Sequence, residues 1–129
     1  YAIYQMLIWE LKPDLIIEIG TNLGGSAFYY ANLLDNLNNG VVHSIDIIDL
    51  VEDERIKNHP RIKRFFNGYQ LYDLSNASNY ENILIVNLPT KLKDNILSYW
   101  IQNQKTNIKS ALICKKNNIN NIENLSFLR

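Results

Sequence analysis

The chain has 129 residues and equal numbers of basic and acidic side chains, 13 of each, so its formal net charge at pH 7 is zero. With 47% hydrophobic residues it is too apolar for a disordered protein, and its length predicts one domain over residues 1–129. The balanced charge argues against nucleic-acid binding, the single cysteine excludes an internal disulfide, and no apolar run reaches the roughly 18 residues of a membrane span. We therefore expect a cytoplasmic protein, and the start at Tyr1 leaves open a fragment of a longer chain.

The first part of the chain predicts a helix, a strand and a second helix. Apolar residues at helical spacing predict a helix that ends near Leu11, because Pro13 blocks its continuation. The almost wholly apolar stretch 14–19 is typical of a strand that is buried on both faces of a parallel sheet. A turn follows, and an apolar stripe then predicts a second helix from about Ser26 to about Leu37.

The rest of the chain is predicted to continue as alternating strands and helices. Further strands are expected at 41–46, 62–66, 83–86 and 110–114, with a helix at 90–102 and a short helix or irregular crossover between 66 and 83. The acidic run 52–54 is predicted to be a solvated loop, and the polar stretch 118–129 is not assigned to an element. This order predicts an α/β fold, a Rossmann-like three-layer sandwich with a mostly parallel sheet.

The turn after the first strand is the predicted ligand site. It reads Glu18-Ile19-Gly20-Thr21-Asn22-Leu23-Gly24-Gly25-Ser26, with three glycines in six positions. Open parallel sheets bind ligands beyond the carboxyl ends of their strands, and the first strand-to-helix turn is the usual place. Glycine lets the backbone take positive φ and approach a ligand, while the N–H groups at the start of the following helix suit a carboxylate or a phosphate.

Two acidic residues favour S-adenosylmethionine over a dinucleotide at this turn. A dinucleotide site has glycine at the third position of the turn, where Asn22 stands here, and Glu18 suits an ammonium group better than a pyrophosphate. The second strand ends in Asp46, whose carboxylate can accept both ribose hydroxyl protons, and Ile47 is expected to cover one face of the adenine. A nucleotide-binding Rossmann domain of another class and a tight turn that binds nothing remain the alternatives.

The sequence also resembles a known family over residues 1–68. The similar segments are 4–21, Gly24-Gly25-Ser26-Ala27, Ser44-Ile45-Asp46-Ile47 and His59-Pro60-Arg61-Ile62. They resemble the cephalosporin hydroxylase and rhamnosyl O-methyltransferase family. The resemblance implies a class I methyltransferase fold, here truncated, with bound S-adenosylmethionine and O-methylation of a small hydroxylated molecule such as a sugar or natural product. It also implies a divalent metal held by acids after the fourth strand.

The turn and the resemblance together predict the cofactor-binding residues. These are Glu18, Gly20, Thr21, Asn22, Gly24, Gly25, Ser26, Asp46, Ile47, Gly68 and Tyr69. Where similar proteins have paired aspartates after the fourth strand, this chain has Asn87-Leu88-Pro89, which argues against Mg²⁺ because the carboxylates it needs are absent. A degenerate, catalytically inactive binding module is therefore the alternative to an active methyltransferase, and no catalytic base is identified. The chain is expected to stop before the antiparallel strands that complete such folds.

The histidines, the cysteine and the aromatic residues are expected to be structural. His43 lies inside the second strand and is predicted to have its hydrogen bonds satisfied, whereas His59 is predicted to be exposed in a polar loop. Cys114 is predicted to be a small core residue. The larger aromatic residues favour the core or a subunit contact, which leaves a homo-oligomer open: Trp9, Phe28, Tyr29, Tyr30 and Trp100.

Overall fold

A six-stranded sheet with short helices on its faces forms the fold, and the computed structural model describes residues 2–77, 79–88, 110–115 and 118–126. The elements in chain order are α1 (Ala2–Leu11), β1 (Leu15–Ile19), α2 (Gly25–Leu37), β2 (Val41–Ile45), α3 (Glu54–Lys57), β3 (Ile62–Phe65), α4 (Gly68–Leu71), a 3-10 helix (Leu74–Ala77), β4 (Ile83–Leu88), β5 (Ser110–Lys115) and β6 (Asn118–Ser126). The strand order is β3-β2-β1-β4-β5-β6, and all neighbours are parallel except β5 and β6. The predicted α/β fold is confirmed.

Two predictions about the secondary structure are wrong. The acidic run 52–54 is not all loop, because Asp53 caps α3 by accepting a hydrogen bond from the backbone N–H of Arg55 at 2.9 Å. The polar stretch at the end of the chain contains the antiparallel strand β6, although no antiparallel strand was expected. In the described order β6 lies at the edge of the sheet, where a strand pairs with a neighbour on one side only. Such a strand does not require a long apolar run. The predicted helix 90–102 lies outside the described residues.

Side chains that alternate along the strands divide the core into two layers. Ile17 of β1 faces the layer that contains Tyr72, which comes from the crossover between β3 and β4. Ile16 faces the opposite layer, where it packs with Tyr30 of α2 and with α1. Because both faces of β1 are covered, its apolar sequence is the one expected for a central parallel strand. None of the helices in the described ranges combines the length and apolar character that a membrane crossing requires.

His59 packs against α2, so the prediction that it is exposed is wrong. Its side chain keeps only 9% of its surface accessible, and its Nε2 atom lies 3.2 Å from a carboxylate oxygen of Asp35. The ring packs edge-on against Phe28, and its Nδ1 atom accepts a hydrogen bond from the backbone N–H of Arg61. A polar loop sequence did not indicate this contact, because Asp35 lies 24 residues away in the chain.

His43 is buried in the core layer that contains Tyr72, as predicted. Its Nδ1 atom lies 2.7 Å from the hydroxyl oxygen of Tyr72, and its ring packs against those of Phe65 and Tyr80. Burial, followed by the positive charge of Lys63, lowers the pKa of His43 from 6.5 to about 4. The imidazole is therefore neutral in the folded chain near pH 7.

We expect acidification to destabilise the chain through His43. As the pH falls below 6.5 the unfolded chain takes up a proton that the folded chain does not bind until about pH 4. Stability that is fully present above pH 6.5 is thus lost between these values, by about 2–3 kcal/mol. Urea unfolding at about pH 7.5 and about pH 4.5 measures this loss. The His43→Gln variant cannot be protonated, so an equally steep pH dependence in that variant would contradict the assignment.

Candidate functional site

Backbone hydrogen bonds hold the turn after β1 against the carboxyl end of β2. The N–H of Gly20 donates to the carbonyl oxygen of Ile45 at 2.7 Å, and the N–H of Asn22 donates to Oδ2 of Asp46 at 2.9 Å. The other carboxylate oxygen of Asp46, Oδ1, accepts from the N–H of Ile47 at 2.7 Å. The turn and Asp46 are therefore neighbours, as predicted from the parallel strand order. Two backbone donors fix the Asp46 carboxylate, which remains partly exposed.

Glu18 lies behind the turn and has no exposed surface. It is aligned with Ser44 in the register of β1 and β2, and the Ser44 hydroxyl donates to its Oε1 atom at 2.8 Å. The Oγ1 atom of Thr21 lies 2.7 Å from Oγ of Ser44. A direct contact between Glu18 and a ligand would therefore require the turn to shift.

Ser44 has a contact that the sequence did not assign. Along β2 it is a fully buried polar residue between His43 and Ile45. Ser44 could be identified only from its position next to Glu18, and that position depends on the register between β1 and β2. The register becomes known only once both strands are aligned.

The three glycines of the turn have different surroundings. Gly20 has φ +97°, and among the described residues no heavy atom lies within 4 Å of the place where a β-carbon would stand at Gly20 or at Gly25. Gly24 has φ +92°, and a β-carbon there would lie 2.9 Å from Cγ2 of Ile56 and 3.2 Å from Cγ2 of Val51. Gly20 and Gly25 therefore leave open space at the site. Gly24 instead allows α2 to pack closely on α3.

The first backbone N–H groups of α2 receive no side-chain cap from the N-cap residue, which is a glycine. Gly24 occupies the N-cap position in the left-handed region and makes no side-chain cap hydrogen bond. Gly25 is exposed and Ser26 is partly buried at this end. The first N–H groups of a helix and the positive end of its dipole favour a negatively charged ligand group.

The residues predicted to follow β2 and β3 differ in how exposed they are. The N–H of Gly68 donates to the backbone carbonyl oxygen of Asp46 at 2.9 Å, so these two strand ends are adjacent. Ile47 is 73% exposed, which leaves its side chain accessible to a flat ring. Tyr69 packs partly into the core layer of Tyr72. Large exposed apolar side chains are common in the segments after β1, β2 and β3: Leu23, Ile47, Ile48, Leu50, Phe66 and Leu71.

The last two described residues of β4, Asn87 and Leu88, have no carboxylate side chain. β4 continues to Leu88, two residues beyond its predicted end, so Asn87 lies within the strand and does not begin a following helix. A neutral amide next to leucine lacks the carboxylates that Mg²⁺ prefers. Within the described ranges, no group of three histidine, cysteine, aspartate or glutamate side chains could hold a metal ion.

Known proteins match the chain in sequence and in fold. A curated relative, the rhamnosyl O-methyltransferase of Mycobacterium bovis (strain BCG / Pasteur 1173P2), is 37% identical over 60 residues, which are 46% of this chain. The match spans 24% of that protein's length. Solved structures of CmcI with SAH and of CmcI with Mg and SAM have TM-scores of 0.65 and 0.60 at 18% and 19% identity. Each covers 87% of this chain, and the chain covers 57% and 50% of them.

The family assignment rests on the first half of the chain, which contains the turn, Asp46 and Gly68. The family described as Rhamnosyl O-methyltransferase/CmcI matches residues 1–68, more than half of the 129 residues. The structural matches have the same α/β fold, in agreement with the sheet order described above. The chain belongs to the rhamnosyl O-methyltransferase/CmcI family.

Proposed function

We propose that this chain binds S-adenosylmethionine as part of a methyltransferase that acts on an oxygen atom of a small hydroxylated molecule. The observation that carries the proposal is the contact between the turn and Asp46, which brings a helix N-terminus and a partly exposed carboxylate to one edge of the sheet. The relatives named rhamnosyl O-methyltransferase favour a sugar hydroxyl as the acceptor.

The residues at this edge suit the three polar parts of the cofactor. Asp46 accepts one backbone N–H on each oxygen, and each oxygen retains a lone pair for a ribose hydroxyl. The N-terminus of α2 suits the carboxylate of the methionine part, and the negative charge of Glu18 behind the turn suits its ammonium group. The open space beside Gly20 and Gly25 gives the ligand access to the backbone. Ile47 has an exposed side chain that would cover the adenine.

Bound S-adenosylmethionine, held by Asp46 and the N-terminus of α2, would supply a methyl group that passes from its sulfonium sulfur to a substrate oxygen, and S-adenosylhomocysteine would be the leaving group. The contribution of this chain is to position that methyl group relative to the substrate oxygen. Fixing the reacting atoms in near-attack geometry accounts for a large share of the rate in reactions of this kind.

A binding module without catalytic activity is the second candidate. Asn87 and Leu88 favour it, because they stand where the family resemblance implies metal-binding aspartates. In that case the turn would bind the cofactor, but no methyl transfer would follow.

Calorimetry with S-adenosylhomocysteine, the product left after methyl transfer, tests the cofactor site. We expect the chain to bind S-adenosylhomocysteine and not NAD, because Asn22 carries a side chain where a dinucleotide turn has glycine. Binding of NAD alone would instead support a dinucleotide-binding domain. Methyl release from S-adenosylmethionine with hydroxylated sugars, measured with and without Mg²⁺, then separates the active enzyme from the inactive module.

We expect Gly25→Ala to weaken S-adenosylhomocysteine binding several-fold without unfolding the chain. Gly25 is helical, and no heavy atom in the part of the chain that the structure describes lies within 4 Å of a β-carbon placed there. The unfolding free energy should therefore be unchanged or higher by up to about 1 kcal/mol. The added methyl group would occupy space that the ligand needs. Calorimetry and urea unfolding measure the two effects, and full affinity in the variant would remove Gly25 from the binding surface.

A further inference from the structure

Two buried hydroxyl groups connect the turn to Glu18. Oγ1 of Thr21 lies 2.7 Å from Oγ of Ser44, which lies 2.8 Å from Oε1 of Glu18. Glu18 and Ser44 have no exposed surface, and Thr21 keeps 5%. A carboxylate this deeply buried must be hydrogen-bonded, because removing a charge from water without compensation is very costly.

The direction of the hydrogen bonds follows from the number of protons. A serine hydroxyl has one proton, and Ser44 donates it to Glu18. The bond between Thr21 and Ser44 must then use the proton of Thr21. The Thr21 hydroxyl is therefore a donor to the interior of the protein, and Thr21 is unsuited to donate the same proton to a ligand.

This arrangement fixes the position of a negative charge directly behind the turn. Ser44 sets the position of the Glu18 carboxylate, while Thr21 links Ser44 to the backbone of the turn itself. The N-terminus of α2 lies at the other end of the same turn and carries partial positive charge. The turn thus has a negative group behind one end and a positive group at the other. This pattern complements the ammonium and carboxylate groups of an amino acid.

We propose that Thr21 and Ser44 are positioning residues for Glu18, and that they make the turn selective for nucleosides with an amino-acid end. The proposal rests on the proposed function, because it concerns the same cofactor site. It assigns Thr21 a role inside the protein, where the sequence predicted a contact with the cofactor.

Two ligands and two matched variants test the proposal. S-adenosylhomocysteine has the amino-acid end, whereas 5′-methylthioadenosine is a similar nucleoside thioether that lacks it. Thr21→Val keeps the shape of the side chain and removes the hydroxyl, and Thr21→Ser keeps the hydroxyl. Calorimetry should show that Thr21→Val lowers S-adenosylhomocysteine affinity about tenfold and 5′-methylthioadenosine affinity less than about threefold. Thr21→Ser should restore S-adenosylhomocysteine affinity.

Ser44→Ala provides the second measurement and should show the same selective loss. If this variant does not fold, the two Thr21 variants decide the question alone. Equal losses for both ligands, or no rescue by Thr21→Ser, would show a structural role only and overturn the proposal. An unchanged chain that binds no S-adenosylhomocysteine would refute the proposed function and this inference together. Normal binding that does not respond to the variants would refute this inference alone.

Discussion

Replacing Asp46 with alanine is expected to lower the affinity for S-adenosylhomocysteine by about 10- to 100-fold, or about 1–3 kcal/mol. The carboxylate is held by the N–H groups of Asn22 and Ile47 and would accept two hydrogen bonds from the ribose. Its loss would remove both proposed ribose contacts and the hydrogen bond that holds the turn at Asn22. Isothermal titration calorimetry on the folded variant measures the change.

Two further variants make the Asp46 experiment specific. Asp46→Asn keeps the size of the side chain but has one acceptor oxygen, so its affinity should lie between those of the unchanged chain and Asp46→Ala. Glu52→Ala removes the same charge from an exposed position in the following loop and should leave affinity unchanged. If Asp46→Ala binds as tightly as the unchanged chain, Asp46 is not part of the site.

Gly24→Ala is expected to lower the unfolding free energy by about 2–4 kcal/mol, the largest effect on stability among the proposed changes. Gly24 has φ +92°, which strains any residue with a β-carbon, and the new methyl group would lie 2.9 Å from Cγ2 of Ile56. The backbone strain and the contact with Ile56 add, because a shift of the turn alone would relieve neither of them. Urea unfolding measures the loss. Gly25→Ala is the matched control, because it introduces neither backbone strain nor a close contact.

A double substitution separates the two costs at Gly24. Ile56→Ala removes the side chain that the new methyl group would meet, so Gly24→Ala should cost less in its presence by about 1 kcal/mol. Strictly additive losses would show that backbone strain alone is responsible. Weakened ligand binding in Gly24→Ala would not identify a ligand contact, because this glycine packs against α3.

The central part of the fold could be predicted because its pattern is local. The apolar run of β1 and the proline after α1 define their elements without reference to distant residues. α3 was missed because four residues give no helical periodicity, and its formation depends on the Asp53 cap and on the burial of Ile56. β6 was missed because its pairing with β5 is not visible in its own polar sequence.

The location of the candidate site could be predicted from the sequence, but the buried contacts behind it could not. Parallel strand order alone brings the turn next to Asp46, so this contact followed from the sequence. The burial of Glu18 did not, because it depends on how the turn folds over the end of β1. The role of Ser44 depends on the register of two strands, and the role of Gly24 depends on the missed helix α3.

The hydrogen bond between Asn22 and Asp46 joins the two halves of the predicted binding edge. The Asp46 carboxylate anchors the turn, which would hold the amino-acid part of the cofactor, and the same carboxylate would bind its ribose. A small molecule that occupies only one half would therefore still order the other half. The affinities of adenosine and methionine as separate fragments should consequently not sum to that of the intact cofactor.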